Sequence, residues 1–135
     1  MVQTLEYTQL VISIACTFVE DVEKVCDIVK LFIETGQVST NKDLCIPLNK
    51  KMRNAEIKQF VYNIIRYNEK ENLDAELFLQ TAFGEWFSGK KENISKNYNV
   101  LPKDSLVSKE GVEADLVKLR IECNCISSKD KDMVL

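Results

Sequence analysis

The sequence predicts a mainly α fold: a small single-domain bundle of three to four helices, followed by a C-terminal segment that reads as a β-strand. Three observations carry this. Val11, Ala15, Phe18, Val22, Val25, Val29 and Phe32 recur at intervals of three or four, which keeps them on one stripe of a helix. Only four Gly and two Pro occur in 135 residues, so helix breakers are scarce. An apolar content of 45% suffices for a self-supporting core.

The first helix gains a second row beside that seam: Ile12, Val19, Cys26 and Ile33, every seventh residue. The β-branched stretch from Leu10 to Val19 also suits a buried strand followed by a helix from Glu20. The unbroken heptad spacing favours one continuous helix, ended by Gly36 as a C-terminal cap. Residues 37–47 connect it to a second amphipathic helix over 48–70, with Met52, Ile57, Phe60, Val61, Ile64 and Ile65 at helical spacing. A third helix is expected from Asn72 as N-cap, with Asp74 and Glu76 in a first turn that favours negative charge, and with Gly89 as its stop.

Residues 90–105 are polar and aperiodic, as in an exposed loop. In the last third, Val112, Leu116, Leu119 and Cys123 fit a helix. Val117, Leu119, Ile121, Cys123 and Cys125 alternate with polar residues, and this period of two favours a strand over 117–126. The domain is placed at 1–126, with a frayed tail over 127–135.

Charge and composition narrow the function. A net charge of -3 argues against coating nucleic acid through bulk charge. The longest apolar run, Leu10 to Val19, contains Ser13 and Thr17 and is about half the length that spans a bilayer, so no membrane association is expected. The N-terminus has Glu6 and no basic residue ahead of that run, unlike a signal peptide, and a cytoplasmic location is expected. Five cysteines, at 16, 26, 45, 123 and 125, read as free thiols behaving as small hydrophobes rather than as a disulfide framework.

No histidine is present, which removes Ser-His-Asp and Cys-His nucleophile systems and the common zinc ligand sets. Gly84 to Lys90 matches the G-x-x-x-x-G-K phosphate loop, but Lys91 replaces the Ser or Thr that holds Mg²⁺, and Trp86 and Phe87 crowd the loop. Cys123 and Cys125 lack a second pair for a structural metal. The expectation is a non-enzymatic protein with no cofactor and no metal.

That leaves binding. Phe78, Phe83, Trp86 and Phe87 crowd one short helix, and the seam over 11–32 is longer than one short neighbouring helix covers. A small interaction protein, of the viral accessory or bacterial immunity type, is therefore expected to bind a protein partner through Phe18, Val22, Val25, Phe78, Trp86 and Phe87, as a homodimer. The alternative is RNA binding through the basic helix, where Lys50, Lys51, Arg53, Lys58 and Arg66 accompany Tyr62. A solvated face that balances two acidic neighbours explains the same residues.

Overall fold

A computed structural model describes residues 1–38, 46–49, 51–84, 87, 101 and 105–122. Those residues form five helices and no strand. They are α1 (Val2–Ala15), α2 (Val19–Thr35), α3 (Asn54–Tyr67), α4 (Ala75–Ala82) and α5 (residues 112–122). α1 packs on α2 and α3, and α4 on α3 and α2, so four helices close a ring around one core. Two seams of the ring carry aromatic pairs: Tyr7 with Phe60 between α1 and α3, at 5.5 Å, and Phe32 with Phe78 between α2 and α4, at 4.7 Å.

The continuous first helix expected from the heptads is two helices. Cys16 and Phe18 are extended, and the three-residue link folds α2 back on α1 as a helical hairpin. A single helix over residues 2–35 would be about 50 Å long, against roughly 35 Å across a compact domain of this size. Folding the seam in half lets both halves face one core. Val11, Ala15, Val25, Val29 and Phe32 are buried in it, while Phe18 and Val19, at the break, are 60% and 70% exposed. The α1 carbonyls orphaned by the break are taken up from outside: Asn49 donates its backbone N–H to Ala15 and its amide Nδ2 to Ile14.

Gly36 ends α2 as the sequence requires, at φ +75°, with its N–H on the Phe32 carbonyl. A Cβ there would also lie 3.1 Å from Leu73 Cδ2. Gly36→Ala is expected to lower stability by about 1–2 kcal/mol, the cost of a left-handed L-residue. Urea denaturation checks this, and an unchanged midpoint would contradict it.

The second helix starts at Asn54, later than the expected 48, because Asn49 caps α1 and Glu56 folds back to accept the Arg53 N–H. Asp74, rather than Asn72, caps α4 by accepting from the Leu77 N–H. The expected stop at Gly89 and most of the 90–105 loop lie outside the described residues, as does the tail over 127–135.

The C-terminal strand is corrected for 117–122, which are helical. Val112, Asp115, Leu116 and Leu119 form the buried stripe, while Val117 and Ile121, counted as inward by the strand reading, are 58% and 59% exposed. The spacing of three and four won over the spacing of two. Residues 123–126 lie outside the described part.

Candidate functional site

Three polar or concave features stand out, and their burial separates their roles. The first is a buried hydrogen-bond node. Asp115 of α5 accepts from Tyr7 Oη of α1 at 2.6 Å, from Ser108 Oγ at 2.6 Å and from the Ser108 N–H at 3.0 Å. Asn63 of α3 donates to the Ser108 carbonyl at 2.8 Å and to Tyr7 Oη at 3.0 Å, and its Oδ1 accepts from Gln59. Tyr7, Asn63 and Asp115 are all buried. Burial, then the hydrogen bond to Asp115, hold the Tyr7 phenol above the ordinary tyrosine range, with Asn63 opposing. The node is closed off by the described residues around it, and it ties α5 and its leading segment to α1 and α3. At the surface the same junction carries a two-pronged pair, Arg120 to Glu6, at 2.7 and 2.8 Å, and Arg120 holds the Glu6 carboxyl below its usual range.

The second feature is a groove of about 540 Å³ beside α3 and α4, lined by Gln59, Tyr62, Arg66, Glu71, Glu76 and Lys109 among others. Two cations and two carboxylates line it together. Tyr62 donates to Glu76, and Lys58 sits 5.5 Å over the Tyr62 ring. Burial lowers the Lys58 ammonium from its usual value, with Glu76 partly restoring it.

The third is a groove of about 400 Å³ between the arms of the α1–α2 hairpin. Gln9 and Ser13 line it from α1, and Val19, Val22, Glu23, Cys26 and Asp27 from α2. Burial and, secondarily, Asp27 and Glu23 raise the Cys26 thiol above its usual value, and burial pushes Cys16 up to about 11. Both cysteines are free, and thiols so shifted are poor nucleophiles near neutral pH.

Among the described residues, those assigned to a partner surface from sequence do not lie together at a surface. Val25, Phe78 and Phe87 are inside the core and Val22 is nearly so, which leaves Phe18 exposed. The described members of the basic set are also dispersed. Lys51, Arg53 and Arg66 are exposed, Tyr62 is partly buried and Lys58 is buried. Arg53 and Arg66 stand at opposite ends of α3, about 20 Å apart along its axis. Trp86, Lys50, Cys45, Cys123, Cys125 and the Lys90 end of the phosphate-loop match lie outside the described residues. Among the described residues no group of three or more His, Cys, Asp or Glu is placed to hold a metal, and no helix is long and apolar enough to cross a membrane.

Fold and grooves together define a small, single-domain α-helical protein. The chain matches no protein-family model, no curated protein and no solved structure.

Proposed function

We propose that the chain is a non-enzymatic interaction module that docks a protein partner on the elbow between α1 and α2. The observation that carries this is the pair Phe18 and Val19, two large apolar side chains in succession that are more than half exposed, beside the groove floored by Val19, Val22 and Cys26. Exposing them costs transfer free energy of about 1 kcal/mol or more each, which docking a partner would recover. The basic face of α3 supports RNA binding less well, because Lys58 is buried and Glu71 and Glu76 line the groove shared with Arg66 and Lys109.

Site-specific photo-cross-linking tests the reading. A benzophenone side chain placed at position 18 is expected to give discrete protein adducts in the native cell. The same group at position 113, exposed on α5, should not form them, and Val19→Asp should remove them. A second copy of the chain as partner would appear as an adduct of twice the chain mass. Identical adducts at 18 and 113, or none at 18, would refute the elbow as a docking surface.

A further inference from the structure

Resting on that reading, we propose that the α1–α2 groove takes a basic amphipathic helix of a partner protein. Val19, Val22 and Cys26 recur at spacings of three and four along the groove floor. A helix laid between two antiparallel helices meets such a floor with its own residues at i, i+3, i+4 and i+7. From Val19 to Asp27 the floor runs about 12 Å, the length of two helical turns.

Charge selects the partner. The two charged side chains lining the groove, Glu23 and Asp27, are both acids and both exposed. α1 adds only the neutral polar Gln9 and Ser13, and its one acid, Glu6, is paired with Arg120. Glu20 and Asp21 continue the negative field into the first turn of α2 and complement the positive end of that helix. A helix with Leu-like residues on one face and Lys or Arg along its flanks satisfies floor and rim at once, whereas an acidic helix meets like charge on approach.

The test uses the full chain and two fluorescein-labelled 14-residue peptides. One has Leu at i, i+3, i+4 and i+7 with Lys elsewhere, and the other has Glu in place of each Lys. Fluorescence anisotropy is expected to show binding of the Lys peptide and none of the Glu peptide. Glu23→Lys with Asp27→Lys should weaken binding about tenfold or more, by removing two rim pairs and setting like charges in their place. Glu113→Lys, an equal change on α5, should leave it within twofold. Bound Lys peptide should also slow alkylation of Cys26 by iodoacetamide at about pH 9, where more of the raised thiol is ionised, an effect that attraction to the acidic chain at large would not produce.

Absence of Lys-peptide binding, unprotected Cys26, or an equal loss in Glu113→Lys would overturn the basic-helix partner. The exposed rim substitutions should leave the melting temperature unchanged, which separates lost binding from lost folding. Cross-linking at position 18 separates the two levels. Adducts that persist undiminished in the Glu23→Lys, Asp27→Lys chain keep the elbow as an interaction surface and reject the basic partner. No adduct at 18 in the unaltered chain rejects the interaction reading itself.

Discussion

Replacing Asp115 with Ala is expected to lower stability by about 3 kcal/mol, because it strips the acceptor from one fully buried donor and two half-buried ones. The Ser108 N–H and Oγ, both on Asp115, lose their acceptor, and the Tyr7 hydroxyl loses its acceptor too. For a chain of this length that loss corresponds to a fall in melting temperature of about 10 °C. Asp115→Asn keeps one accepting oxygen and should cost less, and Tyr7→Phe, which leaves the Ser108 donors in place, less again. A fall below 3 °C in Asp115→Ala would show that α5 is not anchored by this node.

The same node sets an alkaline limit. Tyr7 is held neutral above the ordinary tyrosine value, so the folded chain retains a proton that the unfolded chain releases near pH 10. Its contribution is intact below that pH and is lost as pH rises further, at up to about 1.4 kcal/mol per unit. Absorbance at 295 nm and circular dichroism followed together should show the last phenolate forming only as helicity disappears. Tyr7→Phe removes that part of the pH dependence. Ionisation of every tyrosine with helicity intact would contradict the burial of Tyr7.

Phe78→Ala should cost about 3–5 kcal/mol, the usual range for emptying a large aromatic site. Phe78 is fully buried on α4 and packs on Phe32 of α2, so its loss opens one of the two aromatic seams that close the helical ring. Phe18→Ser, by contrast, removes a side chain that is more than half in solvent and should change stability by no more than about 0.5 kcal/mol. Sequence reasoning placed both phenylalanines on one partner surface. Denaturation of the two variants side by side separates them, and equal losses would refute the division between core and elbow.

That division shows what a stripe of apolar residues conveys. Spacing identifies which side chains share a helical face, and it located the buried faces of α2 and α3 and the Gly36 cap correctly. It carries no information about whether a helix continues or folds back, because a hairpin can keep the same heptad phase in both arms. Phe18 and Val19 lie in phase with the seam and are nevertheless outside it.

The polar node left a legible trace that periodicity alone does not interpret. Tyr7 precedes Val11 by four, Asn63 sits between Phe60 and Ile64, and Asp115 lies between Val112 and Leu116, each on an apolar stripe. A polar residue at a core position signals a buried partner, but the separation of 108 residues between Tyr7 and Asp115 hides which one. Over 117–122 the alternating pattern pointed to a strand, and burial of Asp115 beside Leu116 and Leu119 decided for the helix instead.

By itself, then, the sequence determined the helical class, the apolar faces, one helix end and the lack of histidine chemistry. All of these follow from local spacing and residue type. Only the tertiary structure decided that the first seam bends at residues 16–18, that Val25 and Phe78 point inward, and that an acidic-rimmed groove opens beside the elbow. Those outcomes depend on residues far apart in the chain competing for one core, and the fold-back at residues 16–18 leaves Phe18 and Val19 at the break, exposed to solvent.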